Sequence, residues 1–417
     1  MDVNLNHLVE QHQIEKTDLT KRLTIDGQSK TYSVYKIPLK YLYYNDQNGR
    51  INTVYHQYIS KHGGLTPESG DSEYNRIFEK FIFESKKQAL KDTQLSIKEK
   101  GQQEPGVVLS DGRVVDGNRR FTALRRIEKD SGLSQCFEAV ILSFDIDNKI
   151  HEKKIKELEL DLQLGREERV NYDPIDRIFD VYNTIEVQKL MTFEEYKKAS
   201  GAGNTKGIHR DLRLAELIIK FLKIISPGSN PIDKFYLARE LKLDGPIEEI
   251  ERTLSKLKEN KENITTNVLT TLAIYAAKPD DDADGDTTRK IRSIKNNILQ
   301  NPDIKKYYID ATDSHVDDII DYFTDNPVEN AEDLRKNLEE DSEVLQSANS
   351  LLQTTNRLAE KGSTATTRRQ SLMQLQDIRD NLYELSSEDF KELREEEYFE
   401  VKQILQEIRD LAFKLSK

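Results

Sequence analysis

The sequence predicts an α+β domain at the N-terminus followed by helical regions to the C-terminus. Three observations carry that expectation. Strand-like runs rich in β-branched and aromatic residues are confined to residues 1–150. From His151 onward apolar residues recur at helical spacing instead. The chain is also long, and 417 residues allow two or three domains at ~150 residues each.

The strand signals come first. Thr31–Leu39 (TYSVYKIPL) is rich in β-formers and contains a Pro near its end. Val107–Leu109 and Val114–Val115 flank a Ser-Asp-Gly turn, the signature of a hairpin. Ala139–Leu142 is the short apolar run of a buried strand, and Lys86–Lys100 between these runs reads as an amphipathic helix. Helices are then expected at Pro174–Val187, Thr192–Ser200, Thr205–Ile225 and Ile247–Leu257. The acidic run Pro279–Asp286 interrupts the pattern as a linker or exposed loop; it lacks the alternating ligands and closing Glu of a calcium loop. Beyond Asn330, one stretch carries Leu338, Leu345 and Leu352, and a second carries Leu375, Ile378, Leu382 and Leu385. Gly362–Thr367 is expected to break the first from the second. A third stretch, opened by Ser387, carries Val401, Ile404, Ile408, Leu411 and Leu415. Because the heptads are not sustained, a hairpin or small bundle is expected rather than a long coiled coil. These helices either dimerise, recruit a partner protein or pack on the body. The expected division is 1–150, 151–278, 279–330 and 331–417.

Composition narrows the class. Lys and Arg total 63 against 75 Asp and Glu, a net charge of −12. That excludes a globally basic coat for nucleic acid but allows a local patch. The single cysteine, Cys136, excludes an intrachain disulfide and a Cys-cluster metal site. It precedes an apolar strand and is expected to be a buried small hydrophobe. No long uncharged apolar run is present, and the first residues lack the apolar core of a secretion signal. A cytoplasmic chain with no membrane partner is expected.

The most unusual local sequence is Gly112–Leu124, in which a strand runs through Asp116 and Gly117 into a helix that opens on Asn118, Arg119 and Arg120. A helix N-terminus offers unpaired N–H groups and the positive end of its dipole. Gly117 admits close backbone approach, and two guanidinium groups supply planar donors for phosphate oxygens. Arg113–Arg126 holds five arginines against one carboxylate, a surplus of +4 in a protein of −12. Cations so crowded need a partner, either a bound anion or carboxylates elsewhere in the chain.

Four segments, in order, resemble the ParB/sulfiredoxin superfamily. Ile37-Pro38-Leu39 with Asn48-Gly49-Arg50 is similar to its opening strand and turn. Gly101-Gln102-Gln103-Glu104-Pro105-Gly106-Val107-Val108 is similar to its Gly-x-x-x-Pro-x-Val-Val approach to a strand. Val115–Arg120 is similar to the Asp-Gly-x-Arg-Arg signature that binds nucleotide phosphates in ParB-type CTPases. Arg169–Asp176 resembles the later segment in which an Arg precedes a helix-opening Pro. The resemblance spans about Ile37 to Leu217, with 53–84 as an insertion. It implies a ParB/sulfiredoxin-like nucleotide-binding domain. Gly101, Gln103, Gly117, Asn118, Arg119, Arg120 and Arg169 would hold a nucleoside triphosphate, CTP or ATP, with Mg²⁺. Gly165-Arg166 stands where CTP-hydrolysing relatives carry a Glu-Asn pair that helps hold Mg²⁺, with Glu167 and Glu168 nearby. NTP hydrolysis would therefore use an altered Mg²⁺ motif, and the metal ligands are unassigned. Sulfiredoxin's Cys beside Gly is absent, with Asn118 in its place.

A helix-turn-helix is expected next, where ParB proteins carry one. Thr192 with Glu195 forms a capping box, Gly201–Asn204 turns, and Thr205 caps a second helix. Lys206, His209, Arg210 and Arg213 on that helix are the expected DNA contacts, within a +3 balance over Asn204–Lys223. A basic helix packed on acidic neighbours is the competing expectation.

Together these readings predict a ParB-like, nucleotide-binding protein on double-stranded DNA, a homodimeric switch or clamp of a mobile element or phage-defence locus. Two alternatives stand beside it. One is an enzyme (NTPase, kinase or nuclease) using Glu104 and Asp116 as base or metal ligand. The other is a non-enzymatic protein-interaction scaffold.

Overall fold

The structure is a computed structural model that describes residues 4–416 apart from 26, 50, 145–147, 165–172, 279–286, 341 and 392. Arg50, the segment from Gly165 to Tyr172 with Arg169, and the acidic run Pro279–Asp286 lie outside the described residues.

The chain opens with α1 (Leu5–Glu10), then a long hairpin of β1 (Glu15–Ile25) and β2 (Gln28–Pro38). Of its two strands the sequence signalled only β2. In β1 the inward positions include Lys21 beside Leu23, so its apolar alternation is nearly invisible. After β3 (Tyr43–Tyr44), the segment 53–84 supplies most of α2 (Asn52–His62) and α3 (Glu73–Ser85). There follow α4 (Lys87–Lys100), β4 (Gly106–Leu109), β5 (Arg113–Asp116), α5 (Asn118–Ser131) and β6 (Cys136–Leu142). The six strands form one mixed sheet in the order β1-β2-β6-β4-β5-β3. β4 runs antiparallel to β5 and parallel to β6.

Alternation along the central strands divides the core between two faces. Val108, Val114 and Ala139 face one layer, with Phe78 of α3 and Phe121 of α5. Val107, Leu109, Val115 and Val140 face the other, beneath Ile155, Leu158 and Leu162 of α6 (Lys149–Leu164). Both faces are buried, which is why these strands are continuous apolar runs in the sequence.

The remainder is helical: α7 (Pro174–Tyr182), α8 (Phe193–Ser200), α9 (Lys206–Ile225), α10 (Tyr236–Glu240), α11 (Asp244–Ser255), α12 (Lys261–Ala277), α13 (Thr287–Ser293), α14 (Pro302–Asp325), α15 (Ala331–Glu340), α16 (Ser342–Glu384) and α17 (Glu395–Leu415). One core joins Ile175 of α7 to Ala359 of α16 around α12. No described helix is long and apolar enough to cross a membrane.

Two sequence expectations about the tail are corrected. Gly362–Thr367 breaks nothing, because α16 runs from Ser342 to Glu384. Gly362 is present for contact: a Cβ there would collide with the Asn297 carbonyl oxygen. Ala348 and Thr355, poor heptad residues that lie between and after Leu345 and Leu352, are themselves buried against the body. Leu375, Ile378 and Leu385 are exposed rather than packed in a bundle.

A buried polar joint ties the sheet domain to the helices. Lys156 of α6 bonds to Asp180 of α7 and lies 3.6 Å from Glu159. Tyr196 of α8 donates to Asp180 at 3.1 Å, and Glu159 accepts from the Gly49 N–H at 3.2 Å. Beside it, Thr53 of α2 donates to Asp176 of α7, which also faces Arg239 at 3.3 Å.

Burial, opposed by Arg239 and the Thr53 hydroxyl, pushes the Asp176 carboxyl up to about 7. The unfolded value is about 3.9, so the folded state holds the extra proton across that window. This contribution to stability therefore falls as pH rises from about 4 to about 7 and then levels off, with a slope of up to ~1.4 kcal/mol per pH unit. Urea midpoints from pH 4.5 to 8 should show that decline in the wild type relative to Asp176→Asn. Gly362→Val should cost about 1–3 kcal/mol by overpacking, read as a lower urea midpoint with unchanged m-value.

Candidate phosphate site and basic helix

The strand-turn-helix around Gly117 forms as the sequence predicts. β5 ends at Asp116, Gly117 adopts φ +93° as the residue before the helix, and α5 starts at Asn118. Glycine is required twice over. The φ value is left-handed, and a Cβ would sit 2.8 Å from the Phe137 ring. No side chain caps the first turn of α5, so its N–H groups are not consumed by a Ser, Thr or Asp. Arg120 folds back over this turn, with Nη2 3.3 Å from the Asp116 carboxylate. Its Nε is buried and has no acceptor among the described residues.

The approach to β4 meets the turn in space. Val107 is the register partner of Asp116, which brings Glu104-Pro105-Gly106 to the same end of the sheet. Lys21 of β1, a residue the sequence reading did not select, fastens the two together. Its ammonium donates to the Pro105 carbonyl and lies 3.2 Å from Asp116. The signal for it was weak: a lysine on the inward side of a strand whose pattern was itself obscure. Asp116 thus stands between an ammonium and a guanidinium.

The other expected residues fall in different places. Gly101 ends α4 at φ +72°, and the Gln103 amide donates to the Lys100 carbonyl at the end of that helix. Gln102 is the side chain that reaches the sheet, accepting from Glu138 N–H at 3.0 Å and donating to its carbonyl at 2.7 Å. Glu104 is exposed. Asn118 contributes its carbonyl, which accepts from Thr122, and Thr122 pairs with Tyr44 at 2.8 Å. Arg119 opens α5 on the same turn.

Much of the arginine surplus is balanced within the chain. Arg113 pairs with Asp46 and stacks on Tyr43. Arg125 meets Glu79 of α3 at 3.1 Å and donates to the Gly70 carbonyl at 2.8 Å. Arg126 lies 4.3 Å from the centre of the Phe83 ring. The segment 53–84 therefore supplies partners for the far end of α5, leaving the Arg119–Arg120 end to the turn.

The second basic element consists of α8, a connection at Gly201–Thr205, and α9. The Thr192–Glu195 capping box is present. Thr205 does not cap α9; Asn204 does, its side chain accepting from Lys206 N–H at 2.9 Å. All four expected DNA residues have partners within the chain. His209 stacks on Phe193 with ring centres 4.3 Å apart. Arg210 meets Glu248 of α11 at 2.7 Å, and Arg213 pairs with Glu251. Lys206 reaches the Glu384 carbonyl and lies 3.5 Å from Asp389.

Cys136 is exposed at the start of β6, which corrects the expectation of a buried residue. Desolvation by its surroundings, outweighing the opposing Lys36 charge, still raises its thiol pKa, so it is a weak nucleophile. No cluster of three or more His, Cys, Asp or Glu suited to a metal is found among the described residues.

No family model and no curated protein matches this chain. Among solved structures the chain is similar to a Pnob8-like ParB-N domain. That similarity is at 14% identity and a TM-score of 0.31, over 69% of this chain and 98% of that one.

The Lys21 tie has a measurable weight. Lys21→Met should cost about 1–3 kcal/mol in urea, less than the full ~3–5 for a stranded buried charge, because Asp116 keeps Arg120.

Proposed function

We propose that the Gly117–Arg120 turn binds the phosphates of a nucleotide, and that the protein is a ParB-like, DNA-associated switch. The observation that carries this is the buried Arg120 Nε, without an acceptor among the described residues, set over a left-handed glycine at an uncapped helix start. A buried donor left unmade costs about 1–3 kcal/mol, and an incoming phosphate oxygen would satisfy it along with the N–H groups of the first turn. Arg119 shares that turn, and the motif order from Ile37 to Asp176 resembles the ParB pattern. CTP or ATP with Mg²⁺ is the ligand class. Duplex DNA would be met by α9, where Lys206, His209, Arg210 and Arg213 occupy successive turns.

In this reading the tail supplies the contact between copies. α17 has no buried residue, yet Val401, Ile404, Ile408, Leu411 and Leu415 recur along one stripe. A second copy of the chain covering that stripe would make the homodimer that a clamp requires. A role in a mobile element or phage-defence locus is consistent with this arrangement and rests on the sequence resemblance alone.

The test is thermal and chemical stabilisation by CTP, ATP and GTP with Mg²⁺, comparing wild type with Arg119→Ala/Arg120→Ala. A ligand at 100 Kd should stabilise the wild type by ~2.7 kcal/mol and leave the double variant unchanged. A wild type that no nucleotide shifts would remove the phosphate-site proposal.

A further inference from the structure

The end of α16 and the turn after it place acidic groups on one basic surface. Asp380 accepts from Lys256 at 2.6 Å and lies 3.8 Å from Arg252. Glu384 lies 3.3 Å from Arg252, and its carbonyl accepts from Lys206. Asp389 accepts from Asn204 at 2.9 Å and lies 3.5 Å from Lys206. The contacted residues come from two helices and the connection before α9, yet they form one continuous surface. They also divide from the neighbouring cations by partner. Arg210 and Arg213 are balanced by Glu248 and Glu251 of the folded body. Among the described residues, Lys206, Arg252 and Lys256 find their acceptors only in residues 380–389.

The character of the contact is as informative as its place. The Ser387–Phe390 turn and α17 bury no residue, and Tyr383 and Leu385 at the tip are 82% and 50% exposed. Leu382 and Phe390 are only half-buried there, so the attraction is chiefly electrostatic and partly exposed. Exposed ion pairs are weak and screened by salt. The helix upstream is different, because Val344 to Ala359 are fixed in the core. Lys256 and Arg379 hold the Asp380 carboxyl down at about 2, so it stays ionised at any ordinary pH. Salt and competing polyanions, rather than acid, would release it.

We infer that Asn204, Lys206, Arg252 and Lys256 form a phosphate-binding surface for duplex DNA that extends from α9 onto α11, and that Asp380, Glu384 and Asp389 occupy it as a built-in competitor. The carboxylates stand where backbone phosphates would, and DNA must displace them. This rests on the DNA reading above and adds Arg252 and Lys256, which lie outside the helix that reading assigns. Phosphate contacts position a duplex without reading its sequence, so the effect should be independent of the DNA sequence used.

The experiment measures binding of the full chain to a fluorescent 24-base-pair duplex from 50 to 200 mM salt. Asp380→Asn/Glu384→Gln/Asp389→Asn should bind about ten-fold or more tightly than wild type at 50 mM. Three added phosphate contacts should also steepen the log–log salt slope by ~2.7. Adding Arg252→Ala/Lys256→Ala to that variant should flatten the slope again by ~2. Glu384→Lys alone, at an exposed position, gives the same direction if the triple variant melts lower than wild type. Equal affinity and slope for wild type and the uncovered variants would overturn the competitor while leaving the DNA reading intact. An unchanged slope after Arg252→Ala/Lys256→Ala would remove α11 from the surface. If no variant binds at 50 mM salt, the DNA reading fails and this inference fails with it.

Discussion

Lys156 carries a full charge into the middle of the molecule, and the arrangement around it follows from that. An ammonium removed from water costs several kcal/mol unless it is paired and hydrogen-bonded. Burial works against its charge, and Asp180 and Glu159 more than offset this, holding its pKa above the usual lysine range. Those partners have obligations of their own. Asp180 accepts from Tyr196 of α8, and Glu159 accepts from the Gly49 amide of the sheet domain. α6, α7, α8 and the turn before α2 are therefore positioned by one set of charges that is satisfied only when all are in place. The hydrophobic contacts around them set the strength of the assembly, but they are less particular about register.

The same logic operates at the surface with the opposite consequence. At α5, cations are distributed between fixed internal partners at one end and an incompletely satisfied guanidinium at the other. Glu79 and the Gly70 carbonyl hold Arg125, while Arg120 keeps a buried N–H without an acceptor among the described residues. At α9 the division is between the folded body and the tail. Arg210 and Arg213 are neutralised by α11, whereas Lys206 is met by the end of α16 and the turn after it, which contains no fully buried residue. In both places a functional anion would gain most where the internal pairing is least secure. The net charge of −12 describes neither surface, because carboxylates and cations are paired locally rather than averaged.

The turn at Gly117 was legible in the sequence because its chemistry is local: strand, glycine and helix start follow one another in the chain. The same holds for β4 with β5, for β6, for α4 and for the Thr192 cap. What escaped involved residues whose meaning depends on distant partners. Lys21 looks like a strand-surface lysine until Pro105 and Asp116 are beside it. Gly362 looks like a helix breaker until Asn297 is found against it. Cys136 sits before an apolar run, yet that run begins to be covered only at Phe137.

Sequence by itself determined the class of the fold and the place of the Gly117 turn, since periodicity, glycine and arginine spacing act over a few residues. It also determined that basic charge gathers at α5 and α9. Only the tertiary structure decided which of those cations are already paired. That decision required residues 79 and 384 to be brought to α5 and α9 by the packing of the whole chain. Coulombic pairing acts over a few ångströms of space, however far apart the partners are in sequence.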